Sequence, residues 1–218
     1  MKYDLYVVTD ETLSCGRSHA EIARLAVAGG ADMVQLRDKV RSCSDLVRIG
    51  REIRAITRAA GAGFIVNDRL DVALSCCADG VHLGQGDMSC GVARQIAPPG
   101  FVIGVSVGSV AVARDAERDG ADYVAVSPVF STGSKYDAGP GHGLSLIREI
   151  RASVSIPVIA IGGIGLENAG EVIDAGADGI AVISAVIASP DITRAARQMA
   201  DIIAERKAIG NNRRTPVP

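Results

Sequence analysis

Three clusters of polar residues carry the candidate chemistry of this chain. The first, Gln35-Leu36-Arg37-Asp38-Lys39, sets an amide and two cations at alternate positions. In an extended segment such positions face one side. Two cations beside an amide suit a phosphate or diphosphate, with Arg able to bind in a fork. The same residues could also form a solvated loop closed by a surface ion pair. The second cluster is Asp68 and Asp87, on consecutive strand-to-helix connections, with no Cys/His cluster. Their hard carboxylate oxygens, near cationic phosphate ligands, fit Mg²⁺ bridging a diphosphate. Each has a rival role, because each stands where a helix should begin and could be its N-cap. The third comprises Ile161-Gly162-Gly163-Ile164-Gly165 and Ala181-Val182-Ile183-Ser184-Ala185. Small residues let backbone N–H groups approach an anion, and a helix N-terminus just after them adds a favourable dipole. Glycine needed only for a tight turn is the plainer reading.

A further loop, Phe130-Ser131-Thr132-Gly133-Ser134-Lys135, offers hydroxyls and a Lys to phosphate oxygens. Residues 131–142 are long and Gly-rich for a connection; they could close over a substrate or act as a flexible linker. His82 lies inside an apolar run and reads as a hydrogen-bonded interior residue, while His19 and His142 receive no role. No Ser/His/Asp arrangement or acid pair stands out. The residues therefore point to two anion positions, and to a reaction between two phosphorylated partners in which one loses diphosphate with Mg²⁺ help.

The elements that must position these residues repeat along the chain. Gly30-Ala31-Asp32, Ala78-Asp79, Gly120-Ala121-Asp122 and Gly176-Ala177-Asp178 each follow a helical pattern and open a short apolar run. Gly suits the end of a helix and Asp the turn into a strand. A βα unit needs about 20–30 residues. The intervals from Ala31 to Ala78, Ala121 and Ala177 are each about twice that, so each block holds two units and four blocks hold eight. The intervening strands are expected at Leu5–Thr9, Gly63–Val66, Val102–Val105 and Pro157–Ile161. Helical patterns fill 19–28, 43–60, 69–76, 89–96, 109–118, 143–152, 166–175 and 191–206. Short, continuously apolar, β-branched strands are buried on both faces, as in a parallel sheet. The expected fold is α/β, a single-domain (β/α)8 TIM barrel over residues 1–208, with an open doubly wound sheet as the alternative. Residues 209–218 lack an apolar period and are expected to be a disordered tail. In such a barrel the strands' C-terminal ends carry the site. Those ends hold Gln35, Arg37 and Lys39; Asn67 and Asp68; His82, Gln85 and Asp87; Ser106; Ser127; Gly162-Gly163; and Ser184.

Composition narrows the class further. A chain of 218 residues fits one domain with a real core. With four Tyr, three Phe and no Trp, that core is aliphatic and base stacking is a poor binding mode. A net charge of −2 argues against nucleic acid as a partner, and no apolar run is long enough to span a membrane. The five cysteines are odd in number and without CxxC spacing, and the N-terminus lacks a signal-like apolar region. A reducing, cytoplasmic setting with free thiols is expected.

The chain resembles the thiamine-phosphate synthase family from Tyr6-Val7-Val8-Thr9-Asp10 to Ala181-Val182-Ile183-Ser184-Ala185. The carrying motifs are Gln35-Leu36-Arg37-Asp38-Lys39, Phe64-Ile65-Val66-Asn67-Asp68-Arg69, Asp79-Gly80-Val81-His82-Leu83-Gly84-Gln85-Gly86-Asp87, Ile103-Gly104-Val105-Ser106, Thr132-Gly133-Ser134-Lys135 and Ala160-Ile161-Gly162-Gly163-Ile164. The resemblance implies condensation of 4-amino-2-methyl-5-(diphosphooxymethyl)pyrimidine with a thiazole phosphate, giving thiamine phosphate and diphosphate. It implies that Gln35, Arg37, Lys39, Asn67, Ser106 and Lys135 bind the pyrimidine diphosphate, with Ser106, Lys135, Arg37 and Lys39 assisting catalysis. Asp68 and Asp87 would hold Mg²⁺, and Thr132, Gly133, Ser134, Gly163, Ile183 and Ser184 would bind the thiazole phosphate. The implied mechanism is dissociative: diphosphate leaves, a stabilised pyrimidine methylene cation forms, and the thiazole nitrogen attacks it. Partners are then small molecules, not nucleic acid or membrane, and a homo-oligomer is compatible with the sequence.

Two departures stand out. Ser106-Val107-Gly108 replaces the Ser-Thr-His common in the family, and Ser134 stands where Thr is common. The related thiazole tautomerases resemble this barrel and use a His in that region, so Gly108 argues against them. A non-catalytic thiamine-phosphate-binding regulator would have no evident need for the Arg37, Lys39, Asp68, Asp87 and Lys135 set. Another phosphosugar barrel enzyme would need a general base that is not evident.

Overall fold

The computed structural model of the chain describes residues 1–133 and 140–214. Eight parallel strands close on themselves in the order β1 to β8. They are β1 (Leu5–Val8), β2 (Met33–Leu36), β3 (Gly63–Asn67), β4 (Gly80–Leu83), β5 (Val102–Val107), β6 (Tyr123–Val126), β7 (Val158–Ile161) and β8 (Gly179–Val182). Between them run α1 (His19–Ala28), α2 (Cys43–Ala60), α3 (Leu70–Ser75), α4 (Cys90–Ile96), α5 (Val110–Arg118), α6 (Gly143–Arg151) and α7 (Ala169–Asp174). After β8 come α8 (Ser184–Ile187) and α9 (Ile192–Arg214). The expected (β/α)8 barrel is therefore observed, and the open sheet is excluded by the β1–β8 pairing of Leu5 with Ile180 and Tyr6 with Ala181. Among the described residues no helix is long and apolar enough to cross a membrane.

Two differences from the sequence reading concern the C-terminal end. A short helix, α8, separates β8 from the long final helix. That helix runs past the pattern read at 191–206 and through Arg214, into the segment expected as a tail. The rest of that segment, 215–218, lies outside the described residues.

The strand register sorts side chains between the barrel interior and the helix layer. Ile65 pairs with Gly80, Gly104 with Tyr123 and Ile159 with Gly179. Large and small residues thus face each other inside, as a tapering barrel requires. At Gly104 the pairing partner itself fills the gap. A Cβ there would stand 2.0 Å from Tyr123 Cζ, so the buried Tyr123 ring occupies the space that glycine leaves. Toward the C-terminal ends polar residues enter the register: Gln35 on β2, the Asn67–His82 pair of β3 and β4, and Ser106 on β5. The interior therefore turns from apolar to polar as it approaches the site.

The opposite end is held by one device used four times. Asp32 N–H donates to Leu5 O at 2.9 Å, and Leu5 N–H returns a bond to Asp32 Oδ2 at 3.0 Å. The same reciprocal pair joins Asp79 to Phe64, Asp122 to Ile103, and Asp178 to Val158. Each carboxylate also meets a cation: Lys2, Arg54, Arg94 and Arg151 in turn. The repeated Asp is thus more than a turn former; it clasps the start of each even strand to the start of the odd strand before it.

Candidate active site: two cavities at the C-terminal ends of the strands

The polar strand ends open into two neighbouring cavities that share the wall Ser127-Pro128. The first, of about 460 Å³, lies over β6, β7 and β8 and is lined mostly by backbone and small or apolar side chains. Thr132, Gly163, Ile183 and Ser184 all line it, together with Gly162 and Gly165. The glycines are required by conformation as well as by space: Gly162 has φ 105° and Gly163 φ 65°, a region costly for residues with a Cβ. A Cβ on Gly163 would also approach Ser131 O to 2.6 Å. Ser184 begins α8, the short extra helix that commonly completes a phosphate site after the last two strands of such barrels. Gly133 is described but does not line this cavity, and Ser134 and Lys135 lie outside the described residues.

The second cavity, of about 560 Å³, lies over β2 to β5 and is lined by charge. Arg37, Lys39, Asn67, Asp68, Asp87 and Ser106 meet there. Arg37 Nη1 is 3.0 Å from Asp10 Oδ2, and Lys39 Nζ is 3.9 Å from Asp68 Oδ2. Gln35 belongs one layer deeper. It is 4% exposed, and its Nε2 donates to the Tyr6 hydroxyl at 2.7 Å. The three alternate residues do face one way, but at different depths.

The two carboxylates are not helix caps. Arg69 and Ser89 hold the N-cap positions of α3 and α4, and neither helix has a side-chain cap bond. Asp68 sits at φ 63°, with its N–H bonded to His82 O at 2.8 Å. Asp tolerates that left-handed region better than most residues. Asp87 Oδ2 accepts from Gly84 N–H at 2.7 Å. Burial, then hydrogen bonding and like charge from Asp87, pushes the Asp68 carboxyl up to about 6, against smaller opposite pulls from Lys39 and Arg37. The nearby Asp87 charge thus opposes ionisation of Asp68, an opposition that a cation would relieve.

Three histidines acquire places. His82, read as an interior residue, is 7% exposed; its Nδ1 lies 3.0 Å from the Tyr123 hydroxyl and its Nε2 2.9 Å from Ser106 Oγ. His19 is buried, with Nδ1 2.7 Å from Thr9 Oγ1 and Nε2 3.2 Å from Asp38 Oδ2. It braces the loop carrying Arg37 and Lys39 from below. His142 lines the second cavity, and its Nε2 would be 3.2 Å from a Cβ on Gly108. The missing side chain at 108 therefore leaves room for an imidazole from the β6–α6 connection. No periodicity marks that pairing, since the partners sit on different connections, after β5 and after β6. Gln85, which the sequence places only at a strand end, donates from Nε2 to Ser106 O at 2.7 Å and steadies the end of β5.

A closed eight-stranded parallel barrel with such cavities at its C-terminal face defines a class, the (β/α)8-barrel enzymes. Comparison with known proteins refines this. A family model described as thiamine monophosphate synthase matches residues 5–186. The thiamine-phosphate synthase of Methanoculleus marisnigri is 62% identical over 210 residues, covering 96% of this chain and 100% of that protein. That of Methanoregula boonei is 62% identical over 207 residues, covering 95% and 96%. The solved structure of thiamine phosphate pyrophosphorylase from Pyrococcus furiosus superposes with a TM-score of 0.87 at 45% identity, covering 94% of this chain and 96% of that one. The chain belongs to the thiamine monophosphate synthase family.

Proposed function

We propose that this chain condenses 4-amino-2-methyl-5-(diphosphooxymethyl)pyrimidine with a thiazole phosphate, forming thiamine phosphate and releasing diphosphate. The observation that carries the reading is the pair of unlike cavities meeting at Ser127-Pro128. One offers cations and carboxylates to a diphosphate; the other offers backbone N–H groups and hydroxyls to a monophosphate. Side-by-side binding brings the two reacting carbon and nitrogen centres together without covalent help from the protein.

In this reading Arg37, Lys39, Asn67, Ser106 and Lys135 hold the pyrimidine diphosphate, above a floor that includes Gln35. Thr132, Gly133, Ser134, Gly163, Ile183 and Ser184 hold the thiazole phosphate. Asp68 and Asp87 would hold Mg²⁺, since carboxylate oxygens are the hard ligands that this ion takes. Bound there, Mg²⁺ would neutralise the diphosphate oxygens as they take up charge. Arg37, Lys39 and Lys135 act on the same charge as the C–O bond to the methylene breaks. The electron-rich pyrimidine carries the resulting cation until the thiazole nitrogen forms the new C–N bond. The five free cysteines support a reducing, cytoplasmic setting.

The test is diphosphate release with both substrates and Mg²⁺, with omission controls. Release dependent on the thiazole phosphate and on the metal is expected; background release with all components present sinks the reading.

A further inference from the structure

The barrel interior contains a run of polar side chains whose inner members, Tyr6, Tyr123 and His82, the mechanism above leaves unused. Gln35 Nε2 donates to the Tyr6 hydroxyl at 2.7 Å. The Tyr6 and Tyr123 hydroxyls are 3.1 Å apart. The Tyr123 hydroxyl is 3.0 Å from His82 Nδ1, and His82 Nε2 is 2.9 Å from Ser106 Oγ. These residues come from β2, β1, β6, β4 and β5, so the run crosses the barrel and joins strands that are not neighbours. It ends at a serine lining the charged cavity.

The run has a direction. Burial pushes both phenols above their ordinary values, so each remains an O–H group with a single hydrogen to give. The Gln35 amide nitrogen only donates, so Tyr6 accepts there and keeps its own hydrogen for Tyr123, the other polar group within reach. In a head-to-tail run Tyr123 then gives its hydrogen to His82 Nδ1. A neutral imidazole that accepts at Nδ1 carries its proton on Nε2, and that proton goes to Ser106 Oγ. The Ser106 hydrogen is thereby left to point elsewhere.

We infer that Tyr6, Tyr123 and His82 are positioning residues that transmit the orientation of the Gln35 amide to Ser106 and fix Ser106 as a hydrogen-bond donor into the charged cavity. The inference rests on the proposed contact between Ser106 and the pyrimidine diphosphate. An anionic oxygen needs a donor. The reverse polarity would direct the Ser106 hydrogen to His82 and turn lone pairs toward the phosphate. Bonds aligned head to tail also polarise one another in a low-dielectric interior, so the serine hydrogen becomes more acidic where the diphosphate charge develops.

The experiment uses the whole enzyme labelled with ¹⁵N-histidine, with the His82 signals assigned by their loss in His82→Asn. Long-range ¹H–¹⁵N spectra of the unsubstituted protein are expected to show the proton on Nε2. Tyr6→Phe keeps the ring but cuts the run between Gln35 and Tyr123. It is expected to give mixed tautomers at His82 and a kcat about tenfold lower, the scale of one misdirected hydrogen bond, with little change in either KM. A purely structural role would lower the melting temperature and leave the tautomer alone. A proton on Nδ1 in the unsubstituted protein, or an unchanged tautomer and kcat in Tyr6→Phe, overturns the inference. Full turnover in Ser106→Ala overturns the diphosphate contact itself, whereas a damaging Ser106→Ala combined with the wrong His82 tautomer overturns the relay alone.

Discussion

The two cavities share a wall but are built from different materials. The one over β2 to β5 draws its character from charged and hydrogen-bonding side chains: Arg37, Lys39, Asp68, Asp87 and Ser106. The one over β6 to β8 draws its character from the path of the backbone through Gly162, Gly163 and the start of α8. In the proposed reading, a diphosphate leaving group gathers charge during reaction and would be met in the first cavity by groups that bring opposite charge. A monophosphate that takes no part in bond breaking would need only a fixed seat in the second. On this division, changes in the first cavity act on kcat and changes in the second act on the affinity for one substrate.

The sharpest way to break that contrast is Asp87→Ala. If the carboxylate pair holds the metal, turnover should fall by ~10²–10³, the scale seen when a charge-stabilising group is removed from a reacting centre. Calorimetry should find thiazole phosphate binding unchanged; a parallel loss there would mean that the cavities are not independent. Next in size is Gly163→Ala, which forces a Cβ into a left-handed backbone and onto Ser131 O. The KM for the thiazole phosphate should rise about tenfold, from roughly 1–2 kcal/mol of conformational cost, with the other KM unchanged.

The pH dependence of the metal-free protein sharpens the contrast further. The Asp68 carboxyl titrates at about 6 in the fold against 3.8 ordinarily. Between those values the folded state binds more protons than the unfolded one, so this group's contribution to stability falls as pH rises and is lowest above about 6. Asp68→Asn removes that penalty. The melting temperature of the variant relative to the unsubstituted protein should climb as pH increases through the window; a flat difference would show that neither burial nor Asp87 raises the Asp68 carboxyl. The smallest effect is expected for Gly108→Ala. Its Cβ would meet the His142 ring at 3.2 Å, and an exposed ring can yield, so kcat should change within about twofold. A larger drop would give His142 a direct part in the charged cavity.

The charged cavity was the more legible of the two because its chemistry resides in residue types. Alternate Gln35, Arg37 and Lys39, and the carboxylates on consecutive βα connections, can be read from spacing alone. The strands were legible for a related reason: being buried on both faces, they are short apolar runs, and the fourfold Ala-Asp signal gives their count. Other features depend on three-dimensional closure. The left-handed φ of Asp68 turns it away from the capping role that its sequence position allows. The depth of Gln35 depends on barrel register. His19 reaches Asp38 and His142 reaches Gly108 from separate elements, with no periodic signal to link either pair. The short helix α8 left no signal because Ser184–Ile187 is a single turn, too short to show a helical period, and the last pattern begins only at 191.

The four aspartate clasps bear on how the chain can be cut and rejoined. Each is local in the chain, joining Leu5 to Asp32, Phe64 to Asp79, Ile103 to Asp122, and Val158 to Asp178. All four lie within odd-to-even strand pairs and none bridges β2 to β3, β4 to β5 or β6 to β7. A circular permutant opened in one of those three connections keeps every clasp within a contiguous stretch, whereas one opened inside a pair must form its clasp across the whole length of the chain. Loop-closure entropy grows with the separation being closed. The barrel therefore has two kinds of seam, alternating around its circumference.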